Sequence, residues 1–528
     1  MNAQYDIAVI GSGFAGSLLA MIARRLGHSV VLIEKGAHPR VVIGESSTPL
    51  ANLLFEELCG RYDLPTLKPL AKWGSWQRTH PDVACGLKRG FTFHHHELND
   101  ERSFDPDHKD QLLVAASPHN EISDTHWYRA DFDHFLVQEA EKLGVDYFDR
   151  VTLQSFEDED DGIRLRGERD GSGVEFRAQF VVDATGPRGF LHRALGLKEM
   201  PLPGYPATQS LYSHFSGVER LEKSDFSRVD GQPPFPIDDA AVHHVFDGGW
   251  IWVLKFDNGI TSAGVAATDE FVSQLSFEEG EAAWQRLLDR IPALKAQFAN
   301  AHAERPFMNM PRLAFRSSTI AGERWALLPS AAGFVDPLLS TGFPLTLLGV
   351  TRLAEIIETA WGSEHFGLRL LGYAQQTDRE LLATARLIGA LYANMNRFDI
   401  FVALTLLYFA AASYAESARR LQKPQLAPSF LLCTHPEFGP VCEKICARAR
   451  QKLTDTEAET LIAQIHETIE PINVAGLGRR DRRNWYPVEA DDMLNSAAKL
   501  DVSRDEVQAL LKRCGFVCEL NPDRAATV

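Results

Sequence analysis

Residues 6–34 begin Asp6-Ile-Ala-Val-Ile-Gly11-Ser-Gly13-Phe-Ala15-Gly16, continue through a helical stretch, and end Val-Val-Leu-Ile-Glu34. The order is strand, glycine turn, helix, strand, acid. Each piece answers one demand of a bound dinucleotide. Gly11 permits the tight turn, and Gly13 lets the backbone approach a pyrophosphate. Gly16 brings the helix close to the strand, with its N-terminal N–H groups facing the phosphates. Glu34 can accept hydrogen bonds from a ribose diol. The alternative is a glycine turn between two core elements. The apolar strand before the turn and the acid about 20 residues on favour the nucleotide reading.

The chain has 528 residues, too many for one simple core, so two or three domains are expected. Its net charge of −17 argues against a nucleic-acid partner. Seven scattered cysteines fit a reducing compartment better than a disulfide framework. The pairs Cys442/Cys446 and Cys514/Cys518 share one spacing, but they lie in helix-like sequence without nearby histidines, so no metal site is expected. The first strand begins within five residues, with no signal-peptide pattern. The most apolar stretch, residues 400–415, is too short to span a bilayer and reads as a buried helix. These features point to a cytoplasmic protein without a membrane partner; a homodimer is compatible with them.

Further elements follow from the sequence pattern. Thr48 and Pro49 form a good helix start. Strand character surrounds Phe91-Thr-Phe93, and residues 129–144 read as a helix ending at a glycine. Strands are expected at 146–156, 163–166 and 174–182, with the acidic run 157–161 as a solvated turn. Phe180-Val-Val-Asp183-Ala-Thr-Gly186 ends a buried strand in a turn. Short strands over 200–310, with a helical insert at 277–298, predict a separate antiparallel sheet. Trp325-Ala-Leu-Leu328 is another strand, 329–342 a loop, and a helix is expected from near Pro344. Residues beyond 349 are mostly helical.

Three segments choose flavin over nicotinamide: Asp183-Ala-Thr-Gly186, Ala331-Ala-Gly-Phe334-Val-Asp336-Pro337, and the helix opening at Arg129. They resemble FAD-containing hydroxylase-type proteins. That family usually has Gly-Asp where this chain has Pro329-Ser330; the serine hydroxyl can bond the flavin's ribityl chain, but without charge assistance. No second nicotinamide-binding glycine turn is evident, so the reduced flavin would come from a separate NAD(P)H-dependent flavin reductase.

Three more segments resemble the flavin-dependent halogenases of the tryptophan-halogenase type. Trp250-Ile-Trp252-Val-Leu254-Lys255 is close to the family's Trp-x-Trp-x-Ile-Pro. Phe334-Val-Asp-Pro337-Leu-Leu-Ser340-Thr341-Gly342 matches Phe-x-x-Pro-x-x-Ser-x-Gly. Gly86-Leu-Lys88-Arg-Gly-Phe-Thr-Phe sits where the family places its active-site lysine. The resemblance implies an α/β fold, α+β overall: a Rossmann-like FAD-binding domain from residues 1–200 and 305–355, an antiparallel-sheet substrate region at 201–304, and a helical region at 356–528.

It also implies the chemistry. FADH2 and dioxygen give a flavin C4a-hydroperoxide, and chloride or bromide attacks its distal oxygen to yield hypohalous acid. That oxidant must be kept from solvent and aimed. Lys88 is the implied catalytic residue, acting by hydrogen bonding or as a haloamine; burial would favour the latter by disfavouring its charged form. A lysine in a surface turn is the bland alternative. FAD would be held by Gly11, Gly13, Ala15, Gly16, Glu34, Glu45, Ser46, Arg129, Asp183, Gly186, Ser330, Asp336 and Gly342. Halide would bind the Ser340-Thr341-Gly342 turn, an anion nest in one reading and a plain loop-to-helix turn in the other. Trp250 and Trp252 share one strand face and would separate flavin from substrate; core packing alone would also explain them.

Tryptophan-type members carry a glutamate at the position of Leu339. Its absence points to an arene activated by its own hydroxyl, hence a small phenolic substrate, while a carrier-bound substrate is disfavoured by the acidic surface. His94, His95 and His96 are a second candidate site. Only His94 and His96 can share a face and hence a ligand, and a metal site there would need distant partners that the sequence does not identify; one of the three deprotonating a phenol is an alternative role. An aromatic hydroxylase, a reductase of the same fold, or a flavin-binding protein without turnover are the competing readings.

Overall fold

The computed structural model describes residues 4–100, 107–223 and 232–516. At its centre the strand Gln4–Ile10 lies between Val30–Ile33 and Ser172–Asp183, both parallel to it. Asp146–Phe148 extends the sheet on one side, and Trp325–Leu327 pairs with Ser172–Asp183 on the other, again in parallel. Val30–Ile33 is buried at every residue, as a strand covered on both faces must be. The connecting helix Phe14–Arg25 is buried without interruption from Phe14 to Ala23, so it is a core helix and not a half-exposed one.

The acidic run differs from expectation. The strand Val151–Glu159 continues into it, so only its last residues turn. The reason is its neighbours: Glu157 pairs with Arg166, Glu159 with Arg164, Asp158 with Arg324 and Asp161 with Arg177. Cross-strand arginines make a strand of acids tolerable where a sequence window shows only repulsion.

The second sheet has nine strands and draws on more of the chain than residues 201–304. Its order is His302–Ala303, Thr208–Ser216, Thr261–Thr268, Gly249–Lys255, Ala241–Phe246, Gly90–His95, Gln111–Ala115 and Trp485–Tyr486, with Met308–Met310 also on Thr208–Ser216. Most pairs are antiparallel; Ala241–Phe246 meets Gly90–His95 in parallel. One face, including Ile251 and Val253, packs on the helical insert Glu281–Leu288 and Pro292–Gln297. The opposite face, including Trp250, Trp252 and Phe93, packs into the main core.

Two boundaries shift near the second motif. Pro329–Ala332 is a short helix, and the long helix begins at Gly342, before Pro344. Beyond it, Phe366–Tyr392, Phe398–Arg420, Phe438–Ala449, Asp455–Ile469 and Arg504–Arg513 form the helical region. Phe398–Arg420 has 23 residues, more than the apolar stretch alone indicates. By length and composition it could cross a membrane, but 83% of its most apolar window is buried inside the protein. Cys442 and Cys446 sit one turn apart on Phe438–Ala449 as free thiols; Cys518 lies outside the described residues.

Candidate active site

The glycine turn has the shape an anionic cofactor needs. Gly11 is at φ +99°, and a β-carbon on Gly16 would lie 2.0 Å from Gly11 O. A β-carbon on Gly13 would stand 3.4 Å from Arg129 Nη2 and 3.7 Å from Arg40 Nη2. Two guanidinium groups therefore converge over the bare backbone at the start of the helix, where a pyrophosphate is expected. Arg129 is fixed there by a bidentate pair with Asp133 (2.7 Å each) and by donation to Gly44 O. Ala15 is buried in the first helical turn. Glu34 accepts from the Ser12 N–H and hydroxyl at 3.0 Å, from Gly36 N at 2.8 Å and from Arg40 at 3.2 Å. These donors, led among the lowering influences by the Arg40 charge, outweigh the cost of burial and hold its carboxyl below the usual range. These features fit the adenosine-diphosphate end of FAD.

The other assigned positions divide by what they touch. Asp183 accepts from Thr185 N, Thr185 Oγ1 and Leu191 N, so its carboxylate organises the turn that Gly186 completes at φ +83°. Ser330 is half-buried in the helix Pro329–Ala332. Glu45 is buried, with Oε1 2.7 Å from His214 Nε2 and Oε2 without a hydrogen-bond partner. Ser46 accepts from Lys88.

Lys88 ends the strand Cys85–Lys88 and has no solvent exposure. Its Nζ donates to Ser46 Oγ at 2.8 Å and to Ser47 O at 2.5 Å, and lies 3.8 Å from the centroid of the Phe91 ring. Burial pushes the amine well down from its ordinary value, opposed by the charge of Asp124. Phe91 and Thr48, flanking Lys88 and its Ser47 contact, form part of the wall of a cavity of about 170 Å³, which Lys88 itself does not line. An apolar cavity of about 150 Å³ holds one benzene ring. Pro344 closes the cavity beside the Ser340–Gly342 turn. The helix Phe398–Arg420 supplies another side with Tyr408, Phe409 and Glu416. The C-terminal region thus builds half of the space next to Lys88.

Leu339 and Ser340 both have left-handed backbones, φ 64° and 55°, costing on the order of 1–3 kcal/mol each. What holds them is Asp336. Its Oδ1 accepts from Leu338 N at 2.9 Å and Trp250 Nε1 at 3.2 Å; its Oδ2 accepts from Tyr205 at 2.7 Å and Tyr392 at 2.9 Å. Burial pushes this carboxyl up to about 6 despite those donors. The Ser340 N–H is taken by Pro337 O. Of the three residues of the expected nest, only Thr341 and Gly342 stand at the head of the helix, where N–H groups lack intrahelical partners. The Trp250 and Trp252 rings lie 5.7 Å apart, and Trp252 is anchored to Ser262 Oγ. Gly264 makes room for it: a β-carbon there would meet the indole at 2.4 Å.

His94 and His96 both meet His244. The His94 ring stacks on it at 5.7 Å, and His96 Nε2 is 2.9 Å from His244 Nδ1. Neither lines the cavity beside Lys88. Sequence reading did not single out Asp124, Asn52, Arg40 or His214. No local motif marks them; only the pairing of Cys85–Lys88 with Asp124–Trp127, and the burial that follows, brings Asp124 opposite Lys88.

A family model for FAD dependent oxidoreductases matches residues 6–317, and the fold and glycine turn define a protein of that class. Tetracycline 7-halogenase of Kitasatospora aureofaciens is 30% identical over 387 residues, 72% of this chain and 68% of that protein. Monodechloroaminopyrrolnitrin halogenase PrnC of Pseudomonas fluorescens is 30% identical over 385 residues, 72% of this chain and 66% of its own. Within the class, the chain belongs to the flavin-dependent halogenases. The crystal structure of halogenase PltM with phloroglucinol and FAD superposes with a TM-score of 0.81 at 25% identity, covering 91% of this chain and 99% of that one. It is an FAD-dependent enzyme, with halide and dioxygen as co-substrates.

Proposed function

We propose that this halogenase chlorinates or brominates a small, electron-rich phenol, with Lys88 delivering the halogen. The observation that carries the reading is a fully buried lysine fixed to the Ser46–Ser47 segment beside a one-ring cavity. FAD, when reduced and bound, supplies hypohalous acid from dioxygen and halide. The residues assigned above would hold it: Gly11, Gly13, Ala15, Gly16, Arg129 and Arg40 at the pyrophosphate, Glu34 at the ribose, and the Glu45–Ser46, Gly186, Ser330 and Gly342 segments toward the ring. Asp183 and Asp336 act through the turns they shape.

Thr341 and Gly342 offer halide their amides, with Ser340 shaping the turn before them. Trp250 and Trp252 keep the substrate away from the flavin. Lys88 hydrogen bonds the oxidant or carries the halogen as a haloamine; burial of the amine favours the neutral form that the second route requires. Leu339 gives no carboxylate to assist an unactivated ring, which supports a substrate activated by its own hydroxyl. PltM, a related halogenase, binds phloroglucinol. A separate flavin reductase supplies FADH2, and the free thiols suit the cytoplasm.

The test is mass spectrometry of simple phenols incubated with the protein, FAD, a flavin reductase, NADH and bromide. A brominated phenol is expected. A hydroxylated or reduced product without halogen would instead support a monooxygenase or reductase of the same fold.

A further inference from the structure

Lys88 and Asp124 are direct partners across the two-stranded pairing of Cys85–Lys88 with Asp124–Trp127, so their side chains rise from the same face. They do not close into an ion pair. The amine is held by Ser46 and Ser47, whereas Asp124 Oδ1 accepts from Asn52 Nδ2 at 2.8 Å. Asp124 is only 7% exposed, and its Oδ2 is buried without a hydrogen-bond partner. It belongs to the cavity wall, alongside Phe91, Val114 and Phe409. Four other charged residues line that wall, Lys72, Glu416, Arg420 and Glu489, and of these Glu416 and Arg420 answer each other at 2.7 Å. A buried carboxylate oxygen left open on the cavity wall is a place for a donor that arrives with the guest.

Resting on the phenol reading above, we infer that Asp124 binds the substrate's hydroxyl through Oδ2 and takes its proton as the ring is halogenated. The O–H proton moves to Asp124, and the ring carbon ortho or para to the oxygen forms the C–X bond. The O–X bond of hypohalous acid breaks with its electron pair leaving as hydroxide. The ring proton then leaves to that hydroxide as water, and Asp124 returns its proton to the phenolic oxygen. The sum is arene plus hypohalous acid giving haloarene plus water, with no further oxidant. Burial, opposed by Lys88 and Arg420 and reinforced by Glu416, raises the Asp124 carboxyl toward the pH where a base of this kind works best.

The experiment compares the FAD-loaded enzyme with Asp124→Asn on resorcinol from pH 7 to 9, with bromide, a flavin reductase and NADH. At pH 7 the variant is expected to lose about 100-fold in kcat/KM. The loss should shrink by about tenfold per pH unit as resorcinol ionises in solution, since phenols have pKa values near 10. An undiminished rate at pH 7, or a loss equal at every pH, would overturn the assignment. A second measurement needs no variant: the wild-type enzyme should bind resorcinol at least about tenfold more tightly than 1,3-dimethoxybenzene. Equal binding would also overturn it. If the wild type halogenates no phenol at all, the phenol reading itself falls, and this role with it.

Discussion

The indole N–H of Trp250 donates to Asp336 Oδ1 at 3.2 Å, tying a tryptophan of the large sheet to the turn proposed above as the halide site. Tyr392, from the first long helix of the C-terminal region, donates to the other oxygen of the same carboxyl. Three parts of the chain thus meet at one buried acid. Tyr392→Phe removes one donor to a buried charged group. It is expected to destabilise the protein by about 1.5–3 kcal/mol and to weaken halide use. Urea unfolding and the bromide dependence of turnover check this; an unchanged midpoint would refute the clamp.

Gly13→Ala places a methyl group between the backbone and the two guanidinium groups of Arg129 and Arg40. The fold should persist, because the nearest atoms belong to side chains. FAD affinity should fall by at least about tenfold, or 1.4 kcal/mol, in a fluorescence titration. Retained affinity would show that the pyrophosphate lies elsewhere.

Lys88→Met keeps an apolar stem over Phe91 and removes the amine. Halogenation should drop by at least about 100-fold, while oxidation of reduced flavin continues. Product analysis alongside oxygen consumption separates the two. Halogenation at the original rate would defeat the assigned role.

His94, His96 and His243 are pushed down to about 3 by burial, and His126 and His244 also fall well below the ordinary value for the same first reason. Their folded values lie below 6.5, so the stability linked to them is fully present above that pH. It is lost as the pH falls, because the unfolded chain takes up protons that the folded chain refuses. Each such proton removes about 1.4 kcal/mol per pH unit. The urea midpoint should therefore fall steeply between pH 6.5 and 4.5. A flat profile over that range would contradict the neutral burial of these rings.

The sequence pattern reached the βαβ unit, the helix at Arg129–Lys142 and the strand Trp325–Leu327, because each has its period and its stop signals within one window. It misjudged Val151–Glu159, whose acids are neutralised only by arginines on other strands. It also placed the head of the helix Gly342–Ala360 too late, giving weight to Pro344 over the left-handed pair before it. Within the candidate site, Lys88 and the tryptophan pair stand out through short motifs, and their roles remain proposals. Asp124 was not, since its meaning comes from a partner 36 positions away across a two-stranded pairing. The carboxyl of Asp336 was legible as a motif letter, but its bonds to Tyr205 and Tyr392 cross more than 50 positions and have no local signature.

On the helix Phe398–Arg420, Tyr408, Ala412, Glu416 and Arg420 recur at four-residue intervals along the cavity. One stripe on one rod therefore shapes a side of the proposed mould for the guest, while the residues proposed to hold the flavin belong to the first 350. Recutting that stripe would alter a side of the mould that lies apart in sequence from the furnace.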